Sequence, residues 1–289
     1  MRPLTRRLVA LTQLLPVGHG RALSLLARLL PELQNVAAPL RVWPERSMWI
    51  DLREMELQQF LEHGGYPYQV AEDDWCQAIL RPGDIVYDVG ANVGYNTLVF
   101  LRCIGEAGAV HAFEPSRRAF AFLQKNLLPA DPVTLVHQAV GQEDGQAEFT
   151  DYAAFNLSSI QGFGSTLASR FRPVDHYPVD TCSLDTYRAR GNPAPQLVKI
   201  DVEGYESHVL EGMPRMMRED SPILLFEALG AEELERNLET LSRLAPETYR
   251  LVRIAHHGEL VAPEQTEDVT NNFFAIPTWA EERFATGGT

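Results

Sequence analysis

The chain is poor in several things, and each shortage removes a class of function. Across 289 residues there are three cysteines, Cys76, Cys103 and Cys182, far apart and without C-x-x-C spacing. That excludes a structural zinc knot and a disulfide framework, and it implies a reducing, cytoplasmic compartment. Positive charge is scarce: 25 Lys and Arg face 39 Asp and Glu, a formal net charge of −14. Phosphate backbones need a basic face, so nucleic acid is not an expected partner. No apolar run approaches the roughly 20 residues that cross a bilayer. The apolar run Leu8 to Val17 is too short for a secretory leader, and no small-x-small site follows it. Internal repeats are absent.

What is present fits one large α/β domain with a modest extra segment. Hydrophobic residues make up 45% and charged residues 22%, ordinary values for a globular chain with ample core. The first 46 residues form the extra segment. They are net basic, and Leu4, Leu8, Leu11 and Leu15, then Leu23, Leu26, Leu30 and Leu33, fall on helical faces separated by Pro16 and Gly18-His19-Gly20. Two readings stand: a helical hairpin capping the main domain, or weak contact of residues 1–35 with an anionic membrane surface. Residues 47–289 form the main domain, with its core at about 83–277.

The rest of the chain is organised around Asp84 to Thr97, DIVYDVGANVGYNT. Ile85 to Val89 reads as a strand buried on both faces, as parallel strands are. It ends at Gly90, and helical spacing resumes through Leu98, Leu101 and Ile104. A strand, a glycine turn and a helix in that order put unpaired N–H groups at the carboxyl edge of a parallel sheet, where ligands bind. A dinucleotide turn, G-x-G-x-x-G, wants glycine at 90, 92 and 95. Asn92 and Tyr95 break it. A nicotinamide-dependent oxidoreductase on a doubly wound sheet is therefore the second reading. The next apolar run, Ala109 to Phe113, ends at Glu114, an acid placed to accept both hydroxyls of a ribose. A glycine turn with a strand-tip acid suits a nucleoside carrying little phosphate, and S-adenosyl-L-methionine is such a ligand.

Four segments then fall in order: Asp88-Val89-Gly90-Ala91-Asn92-Val93-Gly94, Ala112-Phe113-Glu114-Pro115, Ser183-Leu184-Asp185, and Lys199-Ile200-Asp201-Val202-Glu203-Gly204-Tyr205-Glu206. Together they resemble the FkbM family of S-adenosylmethionine-dependent methyltransferases. The resemblance implies a Rossmann-like class I methyltransferase fold, with a mostly parallel seven-stranded sheet, helices on both faces and an N-terminal helical extension. It also implies methylation of a hydroxyl on a sugar, glycan or natural product, so the expected partner is a small-molecule or glycan acceptor. Asp88, Gly90, Ala91, Asn92, Gly94, Glu114, Gln138 and Ala139 are the expected donor contacts.

Asp201 and Glu203 are the candidates for base and acceptor-hydroxyl anchor, since a hydroxyl must shed a proton as it attacks. Lys199 shares a strand face with Asp201 and is the candidate for holding that carboxylate or a developing alkoxide. Asp201, Glu203 and Lys199 read alternatively as an ion-paired network that only fixes the strand-to-helix turn. For Glu206 and Lys199 that reading weighs the same as a functional one, whereas the strand-tip position of Asp201 favours function. Asp201, Glu203 and Glu227 offer oxygens to a divalent ion. With no D-x-x-x-D or His-Glu spacing to recommend one, no metal is expected. The stretch 151–172, rich in Ser, Gly, Asn and Phe, reads either as a substrate loop or as disordered.

Overall fold

A computed structural model describes residues 37–43, 46–51, 69–152, 157–163, 172–244 and 249–285. The paired leucine faces of the first 36 residues, a helix that the sequence places over Glu54 to Glu62, and Tyr66 and Tyr68, which read as packing of a half-exposed loop ahead of ligand contact, lie outside them. So do Phe155, Asn156, Ser165 and Thr166 of the expected loop.

The strands, in chain order, are β1 (Ala37–Trp43), β2 (Arg46–Asp51), β3 (Ile85–Val89), β4 (Ala109–Phe113), β5 (Val133–Val136), β6 (Ala139–Val140) and β7 (Gly145–Asp151). They continue with β8 (Ser159–Ile160), β9 (Asp175–Cys182), β10 (Leu197–Ile200), β11 (Ile223–Glu227), β12 (Tyr249–Ala255), β13 (Leu260–Val261) and β14 (Val269–Pro277). The α-helices are α1 (Val70–Ile79), α2 (Tyr95–Ile104), α3 (Arg117–Asn126), α4 (Leu184–Ala189), α5 (Glu206–Glu211), α6 (Pro214–Glu219), α7 (Ala231–Leu244) and α8 (Glu281–Ala285).

The main sheet runs β13-β12-β14-β11-β10-β3-β4-β5. Five strands, β5 to β11 in that order, are parallel, and β14, β12 and β13 close the sheet antiparallel. This is the expected Rossmann-like arrangement with one addition. The short β13 makes eight strands, because the chain turns at His257-Gly258 and pairs back on β12. The parallel strands are apolar on both faces because helices cover both. Val86, Val110, Leu197 and Ile223 face one layer with Leu98 and Phe100, while Tyr87, Phe113, Val198 and Phe226 face the other with Val209 and Met217.

Helix starts follow their local chemistry. Ser116 caps α3 by accepting from the Ala119 N–H at 3.1 Å, and Ser183 caps α4 from Thr186 at 3.1 Å. Gly94 precedes α2 at φ +95°, a left-handed backbone that glycine takes without strain.

A second sheet, β6-β9-β7-β8, stands beside the first. The strand expected over Val133 to Ala139 stops at Val136, and Ala139–Val140 leaves to pair with β9. The second sheet is tied to the start of α3, where the Tyr177 hydroxyl donates to Asp151 at 2.6 Å and accepts from the Arg117 N–H at 3.0 Å.

The ribbon of β1 and β2, antiparallel as expected for Arg41 to Leu52 but starting earlier at Ala37, locks onto α3. Asn126 bonds both backbone groups of Trp49, accepting at 2.5 Å and donating at 3.0 Å, and also donates to the Val93 carbonyl at 2.7 Å. One buried amide thus joins the ribbon to the glycine turn. Asn126→Ala strands three backbone groups in the interior and is expected to cost about 2–4 kcal/mol in urea unfolding. A loss under about 0.5 kcal/mol contradicts the assignment.

Candidate active site

The carboxyl ends of β3, β4, β10 and β11 open into one cavity of about 340 Å³. The turn after β3 forms its floor. The Gly90 and Ala91 N–H groups are pinned to the Phe113 carbonyl at 3.0 and 2.9 Å, and Asn92 is held at φ +50°. Gly90 is demanded by the protein itself: at φ +83°, a Cβ there would lie 1.8 Å from the Asp201 carbonyl oxygen. Its missing side chain lets β10 approach.

Glu114 is the brace of this turn. Its Oε2 accepts from the Asn92 N–H at 2.8 Å and its Oε1 from the Ser116 N–H at 2.7 Å. The carboxylate lines the cavity yet is 6% exposed. Burial pushes its pKa up to about 8, against the pull of those two N–H groups.

Across the cavity stand the tips of β10 and β11. Asp201, Glu203 and Glu227 place carboxylate oxygens within 4.8 Å of one another. Lys199 donates to Asp201 at 2.7 Å from beneath. Burial opposes the ammonium charge, but Asp201, Glu72 and Asp88 outweigh it and hold the Lys199 pKa above its usual range. Glu227 is pushed up to about 8 by burial and then by Asp201, with Lys199 pulling the other way. Three oxygens at this spacing are also common without an ion, so no ion is assigned.

Of the residues singled out in the sequence, Gly90, Ala91, Asn92, Glu114, Gln138, Ala139, Asp201 and Glu203 line the cavity. Three others stand behind it. Asp88 is fully buried and accepts from the Thr97 hydroxyl at 2.5 Å. Gly94 faces inward, where a Cβ would meet Leu123 at 2.7 Å. Lys199 is almost wholly enclosed and reaches the cavity through Asp201. Glu206 caps the Val202 N–H at 2.9 Å and has no bond to Lys199 among the described contacts.

Ser158 and Ser159 of the expected substrate loop do line the cavity, while several other lining residues went unassigned in the sequence. Leu157, Ser158, Ser159 and Ile160 form a wall from what read as a loop, and Ser159–Ile160 pairs with β7. Asn272 lies opposite Glu227 in the β11–β14 register, a position that counting in twos along both strands would have found. Tyr205 stacks on His208 at 4.3 Å, with Phe163 edge-on at 4.7 Å, making an aromatic corner.

The strand order, the glycine turn and the acid-tipped edge define a Rossmann-like fold of the class I methyltransferase kind. Residues 88–254 match the methyltransferase FkbM domain, and the chain belongs to that family. It is 33% identical to the 31-O-demethyl-FK506 methyltransferase FkbM of Streptomyces tacrolimicus, the match covering 46% of this chain and 61% of the relative. It is 31% identical to the hexuronic acid methyltransferase AglP of Haloferax volcanii, covering 47% and 52%. The chain thus spans only half to three fifths of these curated relatives. Among solved structures, the methyltransferase FkbM of Methylobacillus flagellatus superposes with a TM-score of 0.45 at 16% identity, covering 78% of this chain and 54% of that one. No described helix is long and apolar enough to cross a membrane.

The site's acids govern stability as a function of pH. Burial raises Glu72, Glu114 and Glu227 from 4.5 to about 8, and Asp73 from 3.8 to about 7. The folded chain therefore binds more protons than the unfolded chain between those limits. The contribution of these acids to stability is full below about pH 4 and is lost as pH rises through 7 to 8. The urea midpoint is expected to fall between about pH 5.5 and 8.5. A midpoint that rises over that interval refutes the burial of these carboxyls.

Proposed function

We propose that the protein is an S-adenosyl-L-methionine-dependent O-methyltransferase acting on a hydroxyl of a sugar, glycan or natural product. The observation that carries this reading is the pairing, in one cavity, of a Glu114-braced glycine turn with the Asp201, Glu203 and Glu227 carboxylates opposite. The named relatives support the hydroxyl acceptor: one methylates 31-O-demethyl-FK506, one a hexuronic acid, and a third is a 2-O-methyltransferase.

The residues present fit the donor. Each Glu114 oxygen accepts one N–H and retains a lone pair for a ribose hydroxyl. Asn92 lines the cavity, and its Oδ1 has no hydrogen-bond partner among the described residues, which leaves an acceptor for the ammonium of the donor's amino acid end once the side chain turns outward. Gln138 and Ala139 flank the adenine. When bound, S-adenosylmethionine supplies a methyl already activated by its sulfonium.

The chain's remaining work is alignment and proton removal. The cavity walls hold the acceptor oxygen in line behind the methyl, at about 3 Å. Asp201 accepts the hydroxyl proton and Glu203 anchors the acceptor. Lys199 acts one layer back, fixing the Asp201 carboxylate toward the cavity.

Two substitutions separate these roles. Glu114→Ala is expected to weaken donor binding about 10- to 100-fold in calorimetry, the loss of one or two hydrogen bonds to the ribose. Asp201→Asn is expected to keep donor affinity and lower turnover by about 10²–10⁴-fold. Undiminished affinity in the first variant, or undiminished turnover in the second, removes that residue from its role.

A further inference from the structure

Glu206 and Glu233, on two helices that pack together, meet side chain to side chain within hydrogen-bond reach. Glu206 opens α5 and is 1% exposed; its Oε1 accepts from the Val202 N–H at 2.9 Å. Glu233, in the first turn of α7, accepts through Oε2 from the Leu229 N–H at 3.0 Å. The other oxygen of each, Glu206 Oε2 and Glu233 Oε1, is buried with no donor. Two ionised carboxylates cannot satisfy one another, but a carboxyl and a carboxylate can, through one shared proton.

We propose that Glu206 and Glu233 share a proton and act as positioning residues, latching the β10-tip loop to the β11-tip loop. Both N–H groups they hold belong to cavity-lining residues. Val202 sits between Asp201 and Glu203, and Leu229 follows Glu227 by two residues. The β10 turn needs such a hold, because Glu203 at φ +55° and Gly204 at φ +92° are consecutive left-handed residues. A non-glycine residue there persists only when its surroundings enforce it.

The neighbouring charges leave the proton with this pair. Burial first, then Glu233, raises the Glu206 pKa well above its usual range. From β11, Glu227 faces Glu233 with like charge. From β10, Lys199 is engaged with Asp201, and Glu203 lies three residues from Glu206. On α5, His208 stacks on Tyr205 and Glu211 pairs with Arg243. On α7, Glu232 and Arg236 are exposed, and Asn237, one turn beyond Glu233, is buried and neutral. Loss of the shared proton would set two carboxylates against each other and part the two loops.

The inference rests on the methyltransferase reading for its effect on turnover, but not for the proton itself. Urea unfolding of the full chain with Glu206→Gln tests the proton, since the amide imitates a permanently protonated Glu206. The parent chain is expected to lose stability relative to Glu206→Gln as pH rises above about 4.5, by up to about tenfold in the folding constant per pH unit. A difference between the two that stays constant with pH overturns the shared proton.

Turnover tests the positioning. Glu206→Ala is expected to lower kcat at least tenfold with donor affinity changed less than twofold, and Glu206→Gln to restore kcat. Unchanged kcat in Glu206→Ala, or equal loss in both variants, overturns the positioning role. Should the parent chain itself transfer no methyl group, the functional reading fails while the unfolding data still decide whether the pair holds a proton.

Discussion

A single buried ammonium holds the working edge of the sheet together. Lys199 lies in register between Asp88 of β3 and Leu225 of β11, almost wholly enclosed, and donates to Asp201 at the strand tip. Glu72 of α1 and Asp88 add their fields to that of Asp201. Carboxylates outnumber the cation: burial pushes Glu72 up to about 8 and raises Asp88 above its usual range, and the arrangement stays stable only while Lys199 remains charged. Truncating one partner of such a buried pair generally costs about 3–5 kcal/mol, because the other charge is left unmatched. The fold accepts that hazard where the chemistry is proposed to occur, and this is where perturbed titratable groups collect.

The cavity divides into two chemically distinct ends. On one side, Glu114 fixes the glycine turn and the start of α3 with its two oxygens, so that backbone and carboxylate form one rigid cradle. On the other, Asp201, Glu203 and Glu227 crowd together on turns that need outside support. Rigidity at the first end suits recognition of a constant nucleoside. Tyr205 walls the other end, while the second sheet lines the cavity through Ala139, Val140, Phe149, Ser159 and Ile160.

Much of this was legible before any coordinates, for physical reasons. Strands buried on both faces announce themselves as short apolar runs, so β3, β4, β10 and β11 and their acid tips could be read directly. Serine caps marked α3 and α4. The second sheet was not legible as a unit. Its strands pair across long separations, as when Gly145 meets Thr181, and β6 is two residues long. Gly90, expected as a donor contact, turned out to have its missing side chain claimed by the Asp201 carbonyl. Asp88 looked like a donor contact because it precedes the turn, but strand alternation buries it beside Lys199. Glu206 could be read as structural or functional alike, and the fold sets it to hold the Val202 N–H of the β10 turn.

The central claim is that S-adenosylmethionine lies along the turn after β3, with its ribose on Glu114 and its sulfur toward Asp201. The most direct measurement is a crystal structure of the chain grown with S-adenosylhomocysteine. The account predicts both ribose hydroxyls within hydrogen-bond distance of the Glu114 carboxylate and the sulfur on the Asp201 side of the cavity. Density for the nucleoside elsewhere, with Glu114 still bonded only to Asn92 and Ser116, would contradict it.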